Sequence, residues 1–311
     1  MTGPLLPPTT GVPVVGIDIG GTASRTVVVR GDEVVASHID STPASPSLAL
    51  DAVAGWVEHV VERAGLELGE LGAIGIGASG PVDAGGVIRN PDTLPGLTGL
   101  DVVGSLTNTF GVPVVIDNDA AAAAIGEHWK GAGRGASALL VLTLGTGVGV
   151  AVVRQGRPFR GGDGLHPEAG HLTVPGAPAL CYCGRQTCLE QTASRASLQN
   201  LAEQARGSTD LRELNAAATE GEAVALEVLT EYGRRVGDGL VELSTQHRPD
   251  VVVLAGSAAQ CFAHFGAALQ GQLAAMTSAD APDVRVTSLG DLAGAIGAAR
   301  LAAPAGSLAC A

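Results

Sequence analysis

Aromatic side chains are scarce in this chain of 311 residues, which has two Trp, two Tyr and four Phe. A core must therefore be built from Val, Leu, Ile and Ala, the bulk of its 46% apolar residues. Cations are scarce too. Eighteen Lys and Arg stand against 31 Asp and Glu, a net charge of −13, and no run of Lys or Arg occurs. Phosphate backbones and anionic bilayers are gripped by clustered cations, so neither a nucleic acid nor a membrane is expected as partner. No apolar stretch reaches the ~20 residues a membrane span needs. The start, Met1 to Pro13, has no basic region and no long apolar run, and is broken by Pro4, Pro7, Pro8 and Pro13. It reads as a flexible tail, not a signal peptide. The expectation is a soluble cytoplasmic protein with room for two domains.

Glycine, by contrast, is abundant, with 45 residues. Val14 to Ile19 is an apolar run, Gly20-Gly21-Thr22 breaks it, and Thr26 to Val29 resumes it. That is strand, tight turn, strand. Backbone N–H groups without neighbouring Cβ atoms can approach a ligand closely, and successive ones suit a phosphate. Asp18, at the mouth of the turn, could hold Mg²⁺ through water; equally, the segment could be a plain hairpin with Asp18 exposed. Ala138 to Leu144, then Gly145-Thr146-Gly147-Val148-Gly149, then Val150 to Val153 repeats the pattern about 125 residues later. Two copies predict two related halves, each presenting a phosphate turn.

Further elements follow from period and punctuation. Leu48 to Leu66 has helical spacing, Ala73 to Ala78 reads as a strand running into the turn Ser79-Gly80-Pro81, and Gly85 to Thr98 reads as loop. Val112 to Ile116 reads as a buried strand, after which Asp117-Asn118-Asp119 opens an alanine run. Acidic or amide residues there are ordinarily helix caps; the functional alternative is a general base at a strand-to-helix edge. Leu198 to Gln246 is predominantly helical, Val251 to Leu254 is a strand ending in Ala255-Gly256-Ser257, and Gly294 to Ala302 is a small-residue helix able to pack closely. A glycine at 256 would let a flat ring such as adenine lie against backbone.

Three of the five cysteines, Cys181, Cys183 and Cys188, fall within eight positions, ten residues after His171. Thiolates plus imidazole are the donors of a four-coordinate structural zinc. Scattered core cysteines and a surface histidine are the plainer alternative. A carboxylate stands at each end of the stretch, Glu168 and Glu190.

Together these pieces resemble the ROK family: Asp18-x-Gly20-Gly21-Thr22, Asp117-Asn118-Asp119-Ala120, Leu144-Gly145-Thr146-Gly147-Val148-Gly149, Glu168-Ala169-Gly170-His171, and the block from Cys181 to Glu190. The resemblance runs from Val14 to about Ala302. It implies the actin-like ATPase (ribonuclease H-like) α/β fold, with two domains around a nucleotide and sugar cleft, here 12–117 with 292–311, and 118–291. It implies a homodimer or homotetramer that transfers the γ-phosphoryl of ATP to a sugar hydroxyl, by default the 6-hydroxyl of glucose. Asp119 would be the base. Gly80, Asn118, Glu168, His171 and Glu190 would contact the sugar. Asp18, Gly20, Gly21, Thr22, Gly145, Thr146, Gly147 and Gly256 would hold Mg²⁺ and nucleotide. His171, Cys181, Cys183 and Cys188 would hold zinc.

Three positions depart from the family pattern: Pro167 before the sugar-binding glutamate, Thr187 before the third cysteine, and Ala255 before Gly256. Pro167 bears on which acceptor is used. Kanosamine, N-acetylmannosamine, fructose or a C7 cyclitol are alternative acceptors, and polyphosphate an alternative donor. A sugar-responsive repressor would carry a DNA-binding domain ahead of the first turn, where only about 13 residues stand, none of them basic. A non-catalytic sugar-binding module would have no use for Asp119 and two phosphate turns.

Overall fold

The computed structural model describes residues 11–175, 180, 181, 183–276 and 281–303. The tail expected over Met1 to Thr10 and the chain end after Ala303 lie outside the described residues. Two compact units result, one of residues 1–135, 153–167 and 288–311, the other of 136–152 and 168–287.

The first unit holds β1 (Val14–Ile19), β2 (Ala23–Arg30), β3 (Glu33–Ser41), α1 (Pro46–Arg63), β4 (Ala73–Ala78), α2 (Val102–Phe110), β5 (Val114–Asn118) and α3 (Asp119–Trp129). The second sheet repeats the strand plan with β6 (Ala138–Leu144), β7 (Val148–Arg154), the short β8 (Arg157–Pro158, within the stretch 153–167), β9 (Val251–Ala255) and β10 (Asp283–Val286), and the second unit adds α4 (Leu189–Ala193), α5 (Arg195–Arg206), α6 (Leu211–Thr219), α7 (Ala223–His247) and α8 (Phe262–Leu273). The last helix, α9 (Ala293–Ala302), returns to the first unit.

The first sheet runs β3-β2-β1-β4-β5, and the second β10-β9-β6-β7-β8. Reversed, the second order is β8-β7-β6-β9-β10, the same succession as the first. In both sheets the last two strands are parallel to their inner neighbours, while β1–β2, β2–β3 and β7–β8 are antiparallel. The repeat inferred from the two glycine turns is thus a repeat of topology.

Strand period puts alternate residues on opposite faces. In β1, Val15, Ile17 and Ile19 join Val53, Trp56 and Val57 of α1 and Leu106 of α2 in one core. Val14 faces the other way with Ala295, Ala299 and Ala302 of α9. Gly16 and Gly75, on that second face of β1 and β4, meet α9 so closely that an added Cβ would fall on the carbonyls of Ala295 and Ala298. The small-residue helix read at Gly294 to Ala302 therefore packs backbone to backbone. Asp18 shares Gly16's face, and Gly77 shares Gly75's. This is how period two directs both toward α9 and α3.

The α3 helix falls in the first compact unit, whereas the expected division stands after Asp117. Its residues pack on α9, where a Cβ on Gly126 would meet Ala293 and one on Gly297 would meet Ala122. In the second unit the few aromatics are gathered: Tyr232 lies edge-on to Phe265 with centroids 5.3 Å apart, and its hydroxyl donates to the Ala193 carbonyl at 2.6 Å. No described helix is long and apolar enough to cross a membrane.

Candidate active site

In the first unit, the ends of β1, β4 and β5 bring two carboxylates together. Asp18 closes β1 on the α9 face, with its carboxyl carbon 2.6 Å from where a Cβ on Gly294 would stand, so only glycine fits there. Asp119 opens α3. Each is half-buried. Burial, then the neighbouring Asp119 charge, raises the Asp18 pKa from 3.8 to about 7, against the pull of Arg25. Burial raises Asp119 to about 6, opposed by hydrogen bonds from the Ala120 N–H and the Ser79 hydroxyl. A carboxylate held near neutrality can both take and release a proton at working pH. Adjacent carboxylates also favour a cation, and Mg²⁺ accepts one or two carboxylates; the residues present fit it.

The acidic triplet divides its tasks differently from a simple cap. Asn118, not Asp117 or Asp119, caps α3: its Oδ1 accepts from Ala120 N at 2.8 Å and Ala121 N at 3.2 Å. Its Nδ2 donates to the Gly80 carbonyl at 3.2 Å. Gly80 needs a positive φ, 85°, and abuts Asn90, whose Nδ2 donates to the Ser79 carbonyl at 3.0 Å. Asp117 receives the Asn118 N–H at 2.7 Å on one oxygen and the Arg160 guanidinium on the other. Arg160, 43 positions away, is a contact that sequence spacing gave no means of seeing.

The first glycine turn follows β1. A Cβ on Gly21 would come within 2.7 Å of the Thr93 methyl, so this glycine serves packing as well as any ligand. The Gly20 carbonyl accepts from the Thr42 hydroxyl at 2.6 Å. Thr22 is exposed. At the β2 side of the turn, Arg25 pairs with Asp291 at 3.3 Å.

In the second unit, Gly145, Thr146 and Gly147 form the corresponding turn between β6 and β7. Glu190 lies against it. Its Oε2 accepts from Val148 N at 3.2 Å and would stand 2.5 Å from a Cβ on Gly147. Gly256 follows β9 with φ 84° and crosses the Leu144 backbone, where a Cβ would come within 2.6 Å of the carbonyl oxygen. The need for glycine at 256 is thus met by strand packing alone.

Glu168, exposed, starts the short 3₁₀ turn Ala169–His171. His171 Nδ1 is 3.3 Å from Cys188 Sγ and 3.6 Å from Cys181 Sγ, and one donor atom from each of His171, Cys181, Cys183 and Cys188 lies within 4.8 Å of every other. Tetrahedral zinc with bonds of about 2.0–2.3 Å places its donors roughly 3.5–3.8 Å apart, so the donor set and its spacing fit zinc. Nδ1 turned to the sulfurs leaves Nε2 on the opposite edge of the ring. Gly184, at φ 85°, closes a turn in which Cys181 N donates to the Arg185 carbonyl at 2.8 Å. The positive-φ position is therefore filled by Gly184 and not by Thr187. Cys183 is exposed while Cys181 and Cys188 are buried. Burial pushes the Cys188 thiol up to about 12, a cost that a bound cation would offset.

Of the expected residues, Asp18, Gly80, Asn118 and Asp119 gather in the first unit, and Gly145, Thr146, Gly147, Glu190 and Gly256 around the second turn. The ROK family profile matches residues 14–305. The chain belongs to the ROK family. It is 31% identical over 267 residues to a glucokinase of Streptomyces coelicolor, covering 78% of this chain and 81% of that one. Among solved structures it resembles a ROK hexokinase from Thermus thermophilus, with TM-score 0.78, 36% identity, and 93% and 97% of the two chains covered. It also resembles a ROK family glucokinase from Streptomyces griseus in complex with glucose and AMPPNP, with TM-score 0.77, 29% identity, and 93% and 99% covered. With these relatives it is a sugar phosphotransferase of the actin-like ATPase fold.

Proposed function

We propose that the chain phosphorylates glucose at its 6-hydroxyl with ATP. The observation that carries this reading is Asp119: a half-buried carboxylate at a helix start, with a pKa near 6, beside a second half-buried carboxylate. In the proposed reaction the hydroxyl oxygen attacks the γ-phosphorus in line. Asp119 takes the hydroxyl proton, and ADP leaves. Such transfers are accelerated mainly by positioning and charge neutralisation. Asp18 would hold Mg²⁺, which when bound neutralises phosphate charge. Gly20 to Thr22, and Thr146 and Gly147, would offer backbone N–H groups, and Thr22 and Thr146 hydroxyls, to the phosphates, while the Gly145 N–H closes the second turn on the Gly147 carbonyl at 3.0 Å. Gly256 would border the adenine.

Asn118, Gly80, Glu168, His171 and Glu190 would bind the remaining sugar hydroxyls. Asn118 spends its Oδ1 on the cap and one N–H on Gly80, so a single N–H remains for a sugar oxygen. Zinc on His171, Cys181, Cys183 and Cys188 would brace Glu168, His171 and Glu190 without touching the reacting atoms. The glucokinase relatives favour glucose. A panel of acceptors with ATP tests this: glucose, mannose, fructose, N-acetylmannosamine and kanosamine compared by kcat/KM. Glucose should lead by at least about tenfold, the scale of one lost polar contact. A higher kcat/KM for an amino sugar would overturn the assignment of glucose and leave the kinase standing.

A further inference from the structure

The second glycine turn carries no cation of its own. Residues 144–149 are Leu, Gly, Thr, Gly, Val and Gly. The whole chain is net acidic at −13, so a triphosphate entering this turn needs positive charge brought from elsewhere. The chain brings one. Segment 190–195 wraps the turn. Its first residue, Glu190, accepts from Val148 N on one side, and its last, Arg195, reaches the other side. Arg195 is the first residue of α5, whose N-cap Ser194 accepts from Ser197 N. The Arg195 N–H donates to the Gly145 carbonyl at 2.8 Å, and its Nη2 to Thr146 Oγ1 at 3.4 Å. The backbone bond fixes the start of α5 to the turn and so aims the guanidinium along it.

The guanidinium is incompletely satisfied. Its Nε is buried and has no hydrogen-bond partner. Among the described residues no carboxylate pairs with it. Arg25 beside the first turn also has a buried Nε without a partner, but its Nη2 is held by Asp291. A buried N–H without an acceptor is costly and uncommon in a native site. The guanidinium's outer Nη groups offer donors in a fixed fork, a geometry that phosphate oxygens accept.

We propose that Arg195 binds the phosphate chain of the donor. Oxygens of that chain take Nη–H groups at the end of the guanidinium that reaches Thr146, and the Thr146 hydroxyl and the N–H groups that the turn does not use internally take others. Arg195 is then a determinant of donor affinity separate from magnesium. It selects for polyphosphate-bearing donors over the nucleoside, through charge that the glycine turn lacks. This inference rests on the reading of residues 145–149 as a phosphate turn.

The test uses the full chain with Mg²⁺ present and compares wild type, R195Q and R195K. R195Q removes the charge at nearly constant length, and R195K keeps the charge without the fork. AMPPNP binding is measured by calorimetry, and adenosine as a competitive inhibitor of ATP. R195Q is expected to weaken AMPPNP by about ten- to a hundredfold, the range for a charge-assisted hydrogen bond. Adenosine and glucose should stay within about twofold, and R195K should recover part of the loss. The KM for ATP should rise in step with the AMPPNP constant. Unchanged AMPPNP affinity in R195Q overturns the proposal. Equal weakening of AMPPNP and adenosine also overturns it, because that is the mark of a residue that only shapes the turn. Hydrogen exchange of residues 145–149 in the wild type separates the two readings. Protection by AMPPNP with no R195Q effect removes Arg195 alone, and absence of protection removes the phosphate turn and Arg195 together.

Discussion

Asp18 and Asp119 are two half-buried carboxylates close enough to feel each other's charge, and their proton affinities follow from that placement. Their folded pKa values, about 7 and about 6, lie above the ordinary 3.8. Between about pH 4 and 7 the folded chain holds protons that the unfolded chain has released. Stability of the ligand-free protein should therefore fall as pH rises through that window. Urea midpoints measured without Mg²⁺ should show the fall, and Asp18→Asn should flatten it. A midpoint that climbs steadily from pH 4 to 7 in the wild type, with no response to Asp18→Asn, would place these carboxyls in contact with water. Catalysis has the opposite sign. The base must be ionised, so kcat/KM should drop as pH falls below about 6. What the sequence revealed at this scale was the short-range pattern, Asp119 behind a strand and the Cys–His spacing. It could not reveal Arg160 on Asp117 or Arg195 on Thr146, because a lone arginine in no motif carries no sign of what it will face.

Elements that depend on glycine were the most legible. The two turns, β4 and α9 stand close to their expected places because Gly and small residues leave few alternatives. The strand β3 was missed: most of its residues are exposed or half-exposed, so its sequence lacks the apolar alternation that marks a strand. Helix α2 was read as no element because it is only nine residues long, started by an Asp101 side chain that accepts from Gly104 N. The backbone contact between α9 and β4 makes a clear stability test. Gly75→Ala places a methyl on the Ala298 carbonyl. It should cost at least about 2–3 kcal/mol in chemical unfolding, at the upper end for overpacking. A loss under about 0.5 kcal/mol would mean that α9 stands off the sheet. The Cys–His loop offers a second test. Cys183→Ser should abolish binding of one zinc per chain, measured by atomic emission, and should lower the melting temperature. A metal-free protein of unchanged melting temperature would make the cluster four ordinary side chains.

Across the whole molecule, two copies of one strand order divide the expected ligands between them. The first copy holds the paired carboxylates and the second holds Glu190, Arg195 and the Cys–His loop. A sugar and a nucleotide that bind the folded chain should each stabilise it. Each ligand at a hundred times its dissociation constant should add about 2.7 kcal/mol. That corresponds to a rise of several degrees in melting temperature for a chain of this size. The duplicated plan was legible because its turns are repeated in sequence. The placing of α3 in the first unit was not, since it is decided by Gly126 and Gly297 meeting across two helices distant in sequence. The most direct measurement is of Asp119→Asn, with glucose affinity by calorimetry and phosphoryl transfer from ATP followed separately. Glucose affinity should stay within about threefold while kcat falls by about 10²–10⁴, the share of a positioned base. A variant that turns over within tenfold of the wild type would contradict the role of Asp119 and, with it, the reaction proposed here.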